Sequence, residues 1–201
     1  MSDRAGGSSP PRRKALRWSA HDYSTHGAYF VTVCAAGRAP LFGWVHDDAA
    51  RLSVLGRIVV DELVASARLR EETHLDEFVV MPNHLHAIVW IVREDDEPRR
   101  PSACAGRPIP GRPAGRPYGP EQRGQGPAAR SLGSLLAGFK AAVTHRARMA
   151  MNDPALSVWQ RGYHDRVIRD DDELARAREY VLGNPAAWSS DSEYTHDRAD
   201  P

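Results

Sequence analysis

The 201-residue sequence has little of what defines several large protein classes. It contains only two cysteines, Cys34 and Cys104, which have neither metal-ligand spacing nor a disulfide framework and so favour a reducing, cytoplasmic compartment. Its longest apolar run, residues 87–92, is far too short to cross a bilayer. No apolar stretch follows the basic residues near the N-terminus. We therefore expect neither secretion nor membrane insertion.

An excess of one charge is also missing. The 27 Lys and Arg residues against 26 Asp and Glu give a net charge of +1, which excludes the global basic field of a histone-like protein. Any surface that binds nucleic acid must therefore come from local clusters of basic residues.

Composition predicts one ordered domain, residues 18–190, with flexible segments around and inside it. Residues 1–17 are rich in Ser, Gly, Pro and Arg, and we expect a disordered basic arm there. Residues 93–130 are rich in Pro, Gly and Arg and almost devoid of aliphatic side chains, which predicts a disordered insertion. Residues 191–201 are expected to form a tail.

Periodicity within the domain predicts an α+β fold. Strands are expected at residues 29–34, 75–81, 84–92 and, with imperfect alternation, 158–169. A helix is predicted from the apolar stripe that begins at Leu52, a second after the N-cap Ser131, and a third after the N-cap Asp170, with Glu173 completing a capping box. This order suggests an antiparallel sheet with helices on one face.

Two histidines mark the middle of the predicted sheet. Side chains alternate along a strand, so His84 and His86 project from the same face with Cα atoms roughly 6.5 Å apart. A lone His-x-His pattern is a weak indication of a metal, but here apolar runs flank the pair, and unpaired imidazoles would be costly on a central strand. We therefore expect a metal site at this position.

The last predicted helix offers two further polar groups. Tyr180 and Asn184 are four residues apart and stack on one helical face, so a phenol and a carboxamide can reach the same place. Asn184 is the candidate third ligand of an ion held by His84 and His86. The oxygen ligand favours Mg²⁺ or Mn²⁺, and the imidazoles favour Mn²⁺ of the two. On spacing alone, Tyr180 could equally be a packing residue and Asn184 a C-cap.

At these residues the sequence resembles the REP-associated tyrosine transposases and other small single-tyrosine HUH transposases of insertion sequences. The similarity covers about residues 28–92 and 131–190. It is carried by MPNHLH at residues 81–86, YVLGNP at 180–185, FK at 139–140, WQRGYHDRVIR at 159–169 and LFG at 41–43. Gly183 departs from the pattern, because such helices more often carry Asn there.

The resemblance implies a ferredoxin-like antiparallel sheet of the HUH endonuclease type. It also implies that Tyr180 attacks a phosphodiester of single-stranded, hairpin-bearing DNA such as a REP-like inverted repeat. The products would be a 5′-phosphotyrosine link and a free 3′-hydroxyl, and reversal would rejoin the strands. A bound cation favours the ionised form of the phenol. The covalent intermediate conserves the energy of the phosphodiester bond, so no nucleotide cofactor is needed, and the sequence indeed has no Walker-type phosphate loop.

The remaining assignments are less specific. Lys140, Arg161 and Arg169 are candidates for contacts to DNA phosphates, although solubility would explain them equally well. Tyr163 is a competing nucleophile, ranked below Tyr180 because it lacks a carboxamide partner at helical spacing. Trp159 and Trp188 could stack on unpaired bases or pack in the core, and His164 and Asp165 could relay a proton. We expect a monomer or homodimer associated with the nucleoid.

Two rival functions stay open at this point. One is a domesticated hairpin-DNA-binding protein that rarely cuts, and the other is a zinc-dependent hydrolase that uses the paired histidines without the phenol.

Overall fold

The structure, a computed structural model, describes residues 26–92 and 127–191. The predictions for the arm (1–17), for the insertion as far as residue 126, for Cys104 and for the tail from residue 192 lie outside the described residues. No helix in the two described stretches is both long enough and apolar enough to span a membrane.

A four-stranded sheet forms the centre of the fold. Its strands are β1 (Gly27–Cys34), β4 (Thr73–Val80), β5 (His84–Ile91) and β6 (His164–Ile168). They lie in the order β4-β5-β1-β6, and every neighbouring pair is antiparallel. A separate hairpin, β2 (Gly43–His46) and β3 (Ala49–Leu52), precedes the first helix. The two strands that meet at the centre, β1 and β5, therefore have hydrogen-bonded neighbours on both sides.

In the described residues, three α-helices accompany the sheet: α1 (Val54–Arg68), α2 (Leu132–Met151) and α3 (Asp171–Gly183). Each begins at a residue whose side-chain oxygen accepts a hydrogen bond from a backbone N–H of the first turn, namely Ser53, Ser131 and Asp170. Helices α1 and α2 pack on one face, where alternate side chains of β1 and β5, such as Val31 and Ala87, form the main core. Helix α3 packs on the opposite face through Leu174, Ala177 and Val181.

The α+β class and the antiparallel sheet are confirmed, and the expected layer of helices on one face is formed by α1 and α2, with α3 added on the other face. The placement of α3 on the second face matters for the candidate site, because it brings Tyr180 over the strand residues that point away from the main core. His84, His86 and Thr32 are among those residues, since His86 lies opposite Thr32 in the register of β1 and β5.

Three local details differ from the predictions. The predicted strand 158–169 is regular only over β6, because Gly162 adopts a left-handed φ of 84° that interrupts it. Leu52 ends a strand rather than beginning a helix, although it still packs against the main core. In the cap of α3, Glu173 accepts from the backbone N–H of Arg169 (2.8 Å) rather than from Asp170, so the box closes one residue earlier than predicted.

Candidate active site

Strand β5 begins at His84 and carries both histidines on the α3 face. Their side chains are deeply buried, with 0% of His84 and 4% of His86 exposed. The two ring centroids lie 4.4 Å apart at an interplanar angle of 67°. The alternation of a strand thus places the two imidazoles on one face, as the sequence predicted, and close to each other.

Each imidazole is held by a neighbour through its Nδ1 atom. The carboxamide oxygen of Asn83 lies 2.9 Å from Nδ1 of His84, and the hydroxyl of Thr32 lies 2.9 Å from Nδ1 of His86. Because an amide oxygen only accepts, His84 donates from Nδ1, and its Nε2 is the nitrogen with a lone pair to offer. The side chain of Asn83 is itself held in position, since its Nδ2 donates to the backbone oxygen of Arg38 (3.3 Å).

Burial also fixes the charge of His86. Burial, the nearby His84 and, in the opposite sense, Asp191 together lower the pKa of His86 from 6.5 to about 3. The ring is therefore neutral at physiological pH, which is the form of an imidazole that binds a metal.

Helix α3 brings the predicted phenol and carboxamide to this pair. The Tyr180 ring lies 5.3 Å from the His86 ring and 5.8 Å from Phe30, both edge to face. Tyr180 is 45% exposed, whereas Asn184 is 2% exposed. Both side chains donate to the same carboxylate oxygen, Oδ2 of Asp191, at 3.0 Å from the Tyr180 hydroxyl and 2.6 Å from Nδ2 of Asn184.

These groups fit a divalent cation. One potential ligand atom from each of His84, His86 and Asp191 lies within 4.8 Å of the other two. In addition, Nε2 of His86 and Oδ1 of Asn184 are buried and accept no hydrogen bond from any described residue. Buried acceptors without donors are unfavourable unless something positive occupies the space between them. Imidazole nitrogens and carboxylate oxygens that converge in this way are groups that can hold a divalent cation.

The three predicted phosphate contacts stay predictions. Lys140 donates to the backbone oxygens of Gln160 and Gly162, both at 2.8 Å, and burial lowers the pKa of its amine. Arg161 and Arg169 are exposed. None of the three is among the described residues that line the cavity beside Tyr180.

The remaining candidates separate into two groups. Tyr163 is 8% exposed and belongs to the main core, on the face away from the histidines, and Trp159 packs there between Phe42 and Phe139. Trp188, in contrast, lies near the site, 5.8 Å from the His84 ring. His164 and Asp165 line the cavity beside Tyr180.

Sequence reasoning missed Asp191, Thr32 and Asn83 as members of the site. Asp191 lies at the boundary assigned to a tail, and Thr32 is 54 residues from its partner His86. Asn83 is part of the MPNHLH motif, in which only the two histidines were predicted as ligands. Its position next to a His-x-His pattern was the one available signal, because a carboxamide beside a ligand can orient the imidazole.

Comparison with known proteins supplies a family and a fold. No protein-family model matches the chain. An uncharacterized protein of Haemophilus influenzae is 31% identical over 183 residues, which cover 90% of this chain and 93% of that protein. A solved structure of a REP-associated tyrosine transposase bound to a REP hairpin superposes with a TM-score of 0.53 over 92% of each chain, at 15% identity. The chain therefore belongs to the same family as the Haemophilus influenzae protein and has the fold of a REP-associated tyrosine transposase.

Proposed function

We propose that this protein is a metal-dependent, transposase-type endonuclease that cuts and rejoins single-stranded DNA through a 5′-phosphotyrosine intermediate. The observation that carries the proposal is the position of Tyr180, whose ring lies 5.3 Å from His86 at the edge of a buried cluster of metal-binding groups. A half-exposed phenol next to such a cluster is accessible to a phosphodiester. One chain contains all of these groups, so the proposal needs no second subunit.

Tyr180 is the nucleophile in this proposal. Its oxygen forms a bond to phosphorus while the bond from phosphorus to the 3′ oxygen breaks. The leaving 3′ oxygen keeps the electron pair and becomes a hydroxyl by taking a proton from water. The Tyr180 hydroxyl donates to Oδ2 of Asp191, with 3.0 Å between the two oxygens, and we assign that carboxylate as the group that accepts the proton.

The cation would be held by His84, His86, Asn184 and Asp191. Bound there, Mn²⁺ or Mg²⁺ would stabilise negative charge on the phosphoryl oxygens and on the phenolate. Asn83 and Thr32 keep the two imidazoles in orientation, and burial keeps His86 neutral. Because a phenol with a pKa near 10 is a poor nucleophile at neutral pH, this electrostatic support is what the reaction requires.

The DNA partner is proposed to be a hairpin that carries single-stranded flanks. The solved REP-associated tyrosine transposase with this fold is bound to a REP hairpin. By this analogy of fold, we expect an inverted repeat as the substrate and the nucleoid as the place of action.

A covalent-adduct assay tests the proposal. The full-length protein is incubated with a labelled hairpin oligonucleotide that has single-stranded flanks, with Mn²⁺, Mg²⁺ or EDTA, and the products are separated under denaturing conditions. We expect a labelled protein band with the metal ions that is absent with EDTA and absent in Tyr180→Phe. Tyr163→Phe is the matched control, because it removes the same hydroxyl from a tyrosine in the main core.

The two rival functions give different outcomes. Free cleaved DNA with an active Tyr180→Phe variant would indicate a hydrolase and overturn the proposal. Intact DNA that is only shifted on a native gel, under all metal conditions, would indicate a binding protein. An adduct that disappears in Tyr163→Phe and persists in Tyr180→Phe would show that Tyr180 is not the nucleophile and would overturn the proposal.

A further inference from the structure

Tyr180 lies between two depressions of the surface. The larger one, about 630 Å³, is lined by His86, Thr32 and Phe30, among others, and the smaller one, about 290 Å³, by Asn184, Gly183 and Ala187, among others. Among the residues that the structure describes, Arg176 and Tyr180 are the two that line both depressions. Tyr180 and Arg176 therefore belong to the wall that the two depressions share, so an extended chain that crosses from one depression to the other there would contact them.

Three arginines are among the residues that line these depressions. Arg176 is one helical turn before Tyr180, and residues at this spacing project from the same face of a helix. Arg38, in the turn after β1, and Arg166, on β6, line the larger depression. The carboxylates that line the two depressions are Asp165 in the larger one and Glu179 in the smaller one.

The arginines differ in how far they are engaged within the protein. Arg166 is 3.6 Å from Glu173, and 58% of its side chain remains exposed. Arg176 is exposed and has no ion pair with any residue in the described parts of the chain. A guanidinium is always charged and offers paired N–H donors that match the geometry of a phosphate. An unengaged arginine on the nucleophile's own helical face is thus poised for an anionic ligand.

We propose that the substrate strand runs through the larger depression, over Tyr180, and into the smaller one. Arg176 binds a phosphate next to the scissile one, and Arg166 and Arg38 bind phosphates of the segment in the larger depression. This inference rests on the proposed function and adds the path of the strand to it. It also names a set of phosphate contacts different from Lys140, Arg161 and Arg169.

The salt dependence of binding tests this path, because each phosphate contact with single-stranded DNA contributes about 0.7 to the slope of log K against log salt. Fluorescence anisotropy of the labelled hairpin with single-stranded flanks would be measured in EDTA at a series of KCl concentrations. We expect Arg176→Gln and Arg166→Gln each to reduce the slope by about 0.7. Since this electrostatic contribution vanishes near molar salt, the same change corresponds to roughly fivefold weaker binding in the region of 0.1 M.

Arg146→Gln is the matched control, because Arg146 lies on α2 and pairs with Asp61 and Glu62 of α1 rather than lining either depression. Thermal unfolding of each variant would verify that it is folded. Unchanged slopes in Arg176→Gln and Arg166→Gln, with wild-type binding and adduct formation intact, would overturn the strand path alone. A wild-type protein that forms no adduct would instead overturn the proposed function.

Discussion

The ion pair between Asp76 and Arg178 should anchor α3, the helix that carries Tyr180, to the sheet. Asp76 lies in a bulge of β4, and Arg178 is two residues before Tyr180 on α3. Oδ1 of Asp76 accepts from Nε of Arg178 at 2.9 Å, and Oδ2 accepts from a terminal guanidinium nitrogen at 2.6 Å and from Nε1 of Trp90 at 3.0 Å. Replacing either partner by Ala removes a bidentate, charge-assisted contact.

The magnitude follows from the exposure of the two side chains. Asp76 is 9% exposed and Arg178 is 41% exposed, so the pair is neither fully buried nor fully solvated. Exposed pairs contribute about 0.2–1 kcal/mol, whereas breaking a buried pair costs about 3–5 kcal/mol. After allowing for the solvent around Arg178, we expect a coupling energy of about 1–2 kcal/mol. At about 2–4 °C per kcal/mol for a chain of this size, losing this contribution should lower the melting temperature of each single variant by several degrees.

A double-mutant cycle measures this coupling by urea denaturation of the wild type, Asp76→Ala, Arg178→Ala and the double variant. The control cycle is Asp61 with Arg146, whose side chains are 60% and 43% exposed and should couple by less than about 1 kcal/mol. A coupling between Asp76 and Arg178 no larger than that of the control would refute the anchoring role.

The same pair predicts a dependence on pH. Burial alone would raise the pKa of Asp76, but the hydrogen bonds from Arg178 and Trp90 and the charge of Arg178 outweigh it, and the net effect is a pKa below 3.8. Because the folded-state value is the lower one, the stabilisation is fully present above the unfolded-state pKa and is lost as pH falls through the folded-state pKa. The stability difference between wild type and Asp76→Ala should be constant from pH 7 to pH 5 and decrease below about pH 4.

Two further predictions concern the scaffold, each measured by urea denaturation. In Gly56→Ala the new Cβ would lie 2.0 Å from the backbone oxygen of Phe42, so we expect a loss of at least about 2 kcal/mol, while Gly183→Ala, with no atom within 4 Å, should stabilise the protein by up to about 1 kcal/mol. Equal effects at the two glycines would contradict this reasoning. Ser131→Ala should cost about 1 kcal/mol, because it removes the cap acceptor for the N–H of Ser134, and an unchanged midpoint would argue against a stabilising cap.

The sequence predicted the parts of the site that depend on local geometry. Alternation along a strand put His84 and His86 on one face, and helical spacing put Tyr180 above Asn184, so each half of the site could be inferred before the fold was known. Apolar periodicity likewise predicted α1, α2 and α3, because the buried stripe of a helix repeats within a few residues.

The parts that were missed depend on contacts between distant segments or on unusual turns. The hairpin of β2 and β3 turns at Asp47 and Asp48, which both adopt a positive φ (51° and 55°) without the Asn-Gly or Asp-Gly pair that normally indicates such a turn. Asp191 joins Tyr180 and Asn184 only after the chain turns back beyond α3. The pairing of Thr32 with His86 depends on the register of two strands, which no local pattern specifies.

That pairing also bears on how the sheet assembles. A slip of one residue between β1 and β5 would set a valine, Val31 or Val33, opposite His86 and turn the Thr32 hydroxyl toward the apolar side. Nδ1 of His86 would then lose its hydrogen-bond partner, and the Thr32 hydroxyl would be buried in the apolar main core. Both changes destabilise the misaligned sheet. The contact between Thr32 and His86 thus also helps the chain to select its native strand alignment during folding.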